Sequence, residues 1–264
     1  MFSMTGWWQK QIDRADHLAL QPGGSRELLA FYAQLLRGQR DIYEFLRSRK
    51  DSLPSGDVAR DLPVIREALP GLLKTVEIYG PETLSADARE LSNAHVDVID
   101  EMLVRHWSDP SDIQFFAKAF LQPYGRWLAD TGARPRREAG DPERCCRFCG
   151  GKPQVSFLQS REANAESGNR DLICATCLSS WEFRRVVCAN CGEERPAKLG
   201  YFHTPEFDHV RIEACDTCKH YLKGVDLTRL GFAVPLVDEI AAAPLDVWAR
   251  AHGYTKIELN LIGL

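Results

Sequence analysis

The chain has 264 residues, 44% of them hydrophobic and 27% charged, with a net charge of −4 and a pI near 6.0. That size allows one large domain or two ordinary ones, and the composition excludes a disordered chain. A membrane span is excluded too, because the longest apolar runs, such as Leu28 to Ala33, are far too short to cross a bilayer, and the acidic balance argues against nucleic acid as a partner.

From the N-terminus, Met1 to Leu20 alternates charged and apolar residues and has no signal-peptide core, so a cytoplasmic protein is expected. Residues 1–135 hold no cysteine and read as a helical domain. One helix is predicted from an N-cap at Ser25 to about Lys50, with Leu28, Leu29, Tyr32, Leu35, Leu36, Ile42, Tyr43 and Leu46 as its apolar stripe. Shorter helices are expected around Pro54, Pro63, Pro70-Gly71 and Gly80-Pro81. Val96, Val98, Ile99, Met102, Leu103 and Trp107 form a second stripe, closed by Asp109-Pro110. A third helix runs from Ile113 to Leu128 around Phe115, Phe116, Phe120, Leu121 and Trp127, with Pro123 expected to end or kink it. Thr131 to Pro142 is the natural linker, and the basic clusters Arg134-Pro135-Arg136-Arg137 and Arg184-Arg185 read as solvated surface.

Residues 142–224 carry the strongest signal. Cys146/Cys149, Cys174/Cys177, Cys188/Cys191 and Cys215/Cys218 are four Cys-x-x-Cys pairs, and together they use eight of nine cysteines. Two thiolates two residues apart grip one tetrahedral cation from a tight turn, and a second turn completes the shell. The pairs repeat at offsets of 42 and 41 residues, with 24 and 23 residues inside each unit and 10 between units. Each unit reads as knuckle, hairpin, knuckle. Gln154 to Leu158 and Leu172-Ile173 build the first hairpin about a turn at Asn164 to Asn169. Leu199 to His203 and His209 to Ala214 build the second about Thr204-Pro205. Gly150 and Gly192 follow the leading pairs directly and suit a knuckle whose amides point at sulfur and which admits positive φ. After Gly224 a C-terminal helical segment, residues 225–264, is expected, with Gly253 as a C-cap and a docked tail from Ile257 to Leu264. The fold class is therefore α+β: a helical domain, two tandem rubredoxin-like or zinc-ribbon units, and short C-terminal helices.

Sequential pairing assigns Cys146, Cys149, Cys174 and Cys177 to one metal and Cys188, Cys191, Cys215 and Cys218 to another; a nested pairing is the alternative. Iron, as a rubredoxin-type site, and zinc both suit four thiolates. His203, His209 and His220 are not needed as ligands, and Cys145 reads as a bystander whose neighbours Arg144 and Arg147 would lower its pKa. Asp238, Glu239 and Asp246 read as a solvated helix face. No phosphate loop, nucleophile elbow or His-Glu-x-x-His occurs, so an enzyme is not expected.

The stretches Cys146-Arg147-Phe148-Cys149-Gly150, Leu172 to Cys177 with Trp181, Ala214 to Lys223, Pro235 to Glu239, Gly253-Tyr254 and Leu121 to Tyr124 resemble the formate dehydrogenase accessory protein family FdhE. The resemblance covers residues 110–264, and the first hundred share only its helical style. It implies a cytoplasmic maturation factor that binds the catalytic subunit of a respiratory formate dehydrogenase and holds metal through its eight cysteines. Nucleic acid and membrane are not expected partners, and a homodimer is left open. The competing readings are a rubredoxin-type electron carrier and a nucleic-acid-binding zinc-ribbon protein.

Overall fold

Among the described residues, seven α-helices precede the sheet. They are α1 (Met4–Ala19), α2 (Arg26–Ser48), α3 (Val58–Ile65), α4 (Leu69–Tyr79), α5 (Glu82–Asn93), α6 (Val96–Ser108) and α7 (Phe115–Thr131). The computed structural model describes residues 4–21, 25–49, 53–110, 114–135, 141, 143–160 and 168–264. Lys50, Ile113, Arg136-Arg137, the linker residues 138–140 and 142, and Asn164 to Ser167 of the first turn lie outside the described residues.

The long helix α2 is the hub of this half. Its predicted stripe is buried from Leu29 to Leu46, with Leu28 partly buried. Trp8, Ile12, Ala15 and Ala19, spaced three and four apart, lay α1 against it. Ser25 precedes α2 but does not cap it; its hydroxyl donates instead to Ala241 O at 3.0 Å. In α6 only the second half is core: Leu103 and Trp107 are buried, whereas Val96 and Val98 are exposed.

Helix α7 continues through Pro123 to Thr131, where the sequence suggested a break or kink. Proline at 123 has no N–H for the carbonyl of Ala119. The side-chain amide of Gln39, on α2, donates to Ala119 O at 2.8 Å and fills that vacancy, with a second bond to Gln122 Oε1 at 3.0 Å. The helix survives its proline because a neighbour satisfies the orphaned acceptor.

Among the described residues the strands that follow are β1 (Pro153–Gln159), β2 (Asn169–Cys174), β3 (Ser180–Phe183), β4 (Leu199–His203), β5 (Val210–Cys215) and β6 (His220–Asp226). A two-residue β7 (Thr255–Lys256) pairs with β6. The order is β3-β2-β1-β6-β5-β4, so each repeat contributes a three-stranded antiparallel ribbon. The ribbons fuse through a parallel β1–β6 pairing, Val155 opposite Lys223 and Phe157 opposite Val225. Strand β6 runs through Gly224, where a helical segment was expected to begin; helices α8 (Pro235–Ala241) and α9 (Ala243–Ala251) start later.

Alternation along the strands makes two cores. One face, with Val155, Phe157, Ile173, Ile212 and Val225, joins the helices, and α8 packs on β1, β6, α1 and α2. The other carries Leu172, Trp181, Phe183 and Leu222. A buried polar row crosses this second face. Arg170 on β2 pairs with Glu213 on β5 at 2.5 Å, and Ser156 on β1 donates to Glu213 at 2.9 Å. The carboxylate reaches across β6 because residue 224 is glycine; a Cβ there would lie 2.6 Å from Glu213 Oε1.

Asp238, Glu239 and Asp246 are not a solvated face; all three are buried. Asp238 accepts from Arg14 of α1, from His209 at 2.9 Å and from the Val234 amide at 2.7 Å. Glu239 meets Lys256 at 2.7 Å, and Asp246 pairs with Lys223 and accepts from Tyr221 at 2.8 Å. The partners a buried charge requires come from distant parts of the chain, Arg14 and His209 for Asp238 and lysines of β6 and β7 for Asp246 and Glu239. Gly253 has the positive φ expected past a helix end, and Ile257 and Leu261 dock the tail.

Candidate metal centres

Four knuckles of one design hold the cysteines. In the leading pairs Gly150 N donates to Cys146 O at 2.8 Å and Gly192 N to Cys188 O at 3.0 Å. In the trailing pairs Leu178 N donates to Cys174 O at 3.2 Å and Lys219 N to Cys215 O at 2.8 Å. The donor is left-handed each time, with φ of 73° and 78° at the glycines and 57° at both Leu178 and Lys219. The glycines were anticipated; the leucine and lysine were not. The signal was the repeat itself, since an offset of 41 aligns Leu178 with Lys219 just as 42 aligns the glycines.

The sulfurs converge in two groups, Cys146/Cys149/Cys174/Cys177 and Cys188/Cys191/Cys215/Cys218, each with its four atoms within 4.8 Å of one another. Each ribbon thus closes on its own cysteines, which is the sequential grouping and not the nested one. Sulfur–sulfur separations are 3.6 and 3.4 Å in the first group and 3.7 and 3.7 Å in the second. A tetrahedron with metal–sulfur bonds of ~2.3 Å has edges of ~3.8 Å, so both cages match a four-coordinate soft cation. Amides already point at sulfur: Thr176 N at 3.3 Å from Cys174 Sγ and Asn190 N at 3.4 Å from Cys188 Sγ. Such donors stabilise thiolate over thiol.

The crowding shows in the protonation of the first group. Cys146 is pulled down by hydrogen bonds from Cys149, Cys174 and Cys177, whereas Cys174 is pushed well up by burial and then by the other three. Four neighbouring sulfurs cannot all ionise unaided, and a cation removes that conflict. In the second group burial would raise Cys218, but bonds from Asn190 and the His220 amide leave it lowered to about 7.

The first group is sealed, with all four cysteines buried, and α7 lies on it. Gln122 donates to Ala175 O at 2.9 Å, and a Cβ on Gly125 would come within 2.9 Å of Thr176 O and 3.1 Å of Cys177 Cα. Gly151 is equally confined: a Cβ there would lie 2.8 Å from Cys174 Sγ. In the second group Cys188 and Cys215 are buried and Cys191 and Cys218 half-buried. Its knuckles are tied by Glu193, which accepts from Thr217 Oγ1 at 2.6 Å. Arg144 reaches the same group, donating to Asn190 O at 2.8 Å.

Among the described residues the two groups contain cysteine alone. His209 is bound to Asp238, His220 Nδ1 contacts Cys218 O at 2.7 Å, and His203 is exposed on β4. Cys145 belongs to neither group. Burial, then Asp141, pushes its thiol up against the opposing pull of Arg144, so the activation suggested by neighbouring arginines does not arise. No described helix is long and apolar enough to cross a membrane.

Residues 186–262 match the family described as FdhE, C-terminal domain. The chain is 37% identical over 155 residues to a protein named Protein FdhE homolog from Aquifex aeolicus, covering 57% of this chain and 52% of that one. It is 25% identical over 200 residues to the Protein FdhE homolog of Shewanella oneidensis, covering 75% and 62%. The matched stretches thus span between half and two thirds of these relatives. The crystal structure of the FdhE protein from Pseudomonas aeruginosa shares the fold, with a TM-score of 0.68, 23% identity, and coverage of 98% of this chain and 96% of that one.

Proposed function

We propose, from the premise that the chain belongs to the FdhE family, that it is a cytoplasmic, non-catalytic accessory protein for formate dehydrogenase. In this reading it binds the catalytic subunit of a respiratory formate dehydrogenase and is required for that enzyme's activity. Its eight paired cysteines hold one iron or zinc ion per group. The supporting observation is the pair of four-sulfur groups, each with its sulfurs within 4.8 Å of one another and with two opposite separations of 3.4–3.7 Å, near the edge of a four-coordinate site. A closed site keeps no open position for substrate, which suits a structural or electron-exchanging metal better than a hydrolytic one. A cation there would neutralise the crowded thiolates and stabilise ribbons too small to fold on apolar burial alone.

The decisive experiment is genetic. Deleting the gene should abolish formate-dependent dye reduction while the enzyme subunits are still made, and Cys218→Ser should reproduce part of that loss. Full activity in a clean deletion, with no second copy present, refutes the proposal. Anaerobic purification with a visible spectrum identifies the cation, since ferric four-sulfur iron is coloured and zinc is silent.

A further inference from the structure

We infer that the two sulfur groups are unequal: the second releases and takes up its cation from solvent, while the first is a closed fastener between its ribbon and α7. The inference rests on the reading of both groups as metal sites and goes beyond it by assigning them different work.

Access is the first ground. Exchange at a four-thiolate site needs an incoming soft ligand to reach the cation as one sulfur lets go and is protonated. In the first group every cysteine is buried, the space at Gly151 is too tight for a Cβ, which would lie 2.8 Å from Cys174 Sγ, and α7 covers the knuckle at Thr176 and Cys177. In the second, the half-buried members are Cys191 and Cys218, one from each knuckle, so one edge of the sulfur tetrahedron faces solvent. The residues flanking that edge, Asp216, Thr217 and Lys219, are exposed.

The second ground is what each group supports. The Cys174–Cys177 knuckle receives the Gln122 amide and packs against Gly125, and Leu178 O accepts from Arg126 at 3.4 Å. Loss of the first cation therefore frees the surface on which α7 rests. The second pair of knuckles is joined by the Glu193–Thr217 bond, and backbone bonds tie the trailing knuckle to the residue before β4, Asp216 N to Lys198 O at 2.9 Å, and to β7, Thr255 N to Lys219 O at 2.8 Å. Those ties hold its ribbon while the cation is away.

The test uses the full chain loaded with zinc and an excess of a chromophoric nitrogen chelator at neutral pH. Zinc passes to the chelator and the freed thiolates take protons from water. One ion should leave at least about tenfold faster than the other, a difference of roughly 1.4 kcal/mol in activation free energy. Amide exchange of α7 should stay unchanged after the fast ion departs and rise only after the slow one. Cys218→Ser should load one ion and show the slow phase alone. Gln122→Ala, which loosens the fastener without touching a cysteine, should accelerate the slow phase and spare the fast one. Release of both ions in a single phase, or a fast phase that persists in Cys218→Ser, overturns the inequality while leaving two metal sites standing. Loading with fewer than two ions overturns the metal reading and this inference with it.

Discussion

Lys219 holds a left-handed backbone at φ 57° where its counterparts at Gly150 and Gly192 are glycine. A side chain in that region costs roughly 1–2 kcal/mol. In return Lys219 makes only an exposed pair with Asp216 at 2.6 Å and a stacking contact over Tyr254, and exposed pairs contribute little. Lys219→Gly should therefore leave the chain as stable or up to about 1 kcal/mol more so, whereas Gly150→Ala should destabilise it by a similar amount. Urea unfolding of the zinc-loaded variants checks both signs. The opposite regime holds beneath α8 and α9, where Lys223 and Asp246 are fully buried. Lys223→Met leaves that carboxylate with Tyr221 and the more distant Lys256 at 3.9 Å and should cost about 3–5 kcal/mol, while Lys223→Met combined with Asp246→Leu should cost distinctly less. Equal losses in the single and double variants would mean that the pair is not the source of the stability.

Helix α7 shows what a sequence discloses about an element and what it withholds. Its apolar stripe was legible, because Phe116, Phe120, Leu121, Trp127 and Leu128 recur at helical spacing and all are buried. Its continuity was not, because the acceptor orphaned by Pro123, Ala119 O, is satisfied by Gln39, 80 positions before Ala119 in the chain. Gln39→Leu should destabilise the protein by about 1–3 kcal/mol by leaving Ala119 O buried and unpaired. Adding Pro123→Ala should recover part of the loss, since residue 123 then donates to that carbonyl itself. No recovery in the double variant, by thermal or urea unfolding, would remove Ala119 O from the account. The cysteine pairs and their sequential grouping were legible, because a Cys-x-x-Cys spacing is set within one tight turn, whereas the left-handed Leu178 and Lys219 of the trailing knuckles were not. The buried carboxylates of α8 and α9 were not, because Lys223 and Lys256 become their partners only once β6 and β7 are in place. Gly224 read as a boundary for a related reason: a glycine that lets Glu213 cross a strand looks the same in sequence as one that ends it.

For the molecule as a whole, burial sets the pH range of stability. Glu213 would be raised by burial, but Arg170 and Arg211 hold it below its ordinary 4.5; Asp238, likewise buried, is held below 3.8 by His209 and Arg14. Both contributions are complete above those ordinary values and vanish as pH falls through the depressed ones, so acid should separate the two ribbons and release α1. On the alkaline side burial, with Lys256 beside it, lowers Lys223 to about 8, so its folded form sheds its proton first and stability should climb from about pH 8. Burial raises Tyr32, Tyr124 and Tyr221 above 10.0, and their contribution is lost as pH rises beyond that value. Melting temperatures of the zinc-loaded chain should therefore peak between pH 8 and 10 and fall steeply above; a monotonic decline from pH 7 would contradict the assignment to Lys223. The parallel β1–β6 seam has a further consequence, which belongs to the order of synthesis. Strand β1 leaves the ribosome with one neighbour at hand, β2, and its other edge stays bare until residues 220–226 emerge. During that interval the first ribbon presents an open row of amides and carbonyls, the geometry that invites pairing with a stranger. A chain cut after Phe183 should thus self-associate, read as oligomers in sedimentation, however well its four cysteines are metallated, because β6 is what covers the open edge of β1.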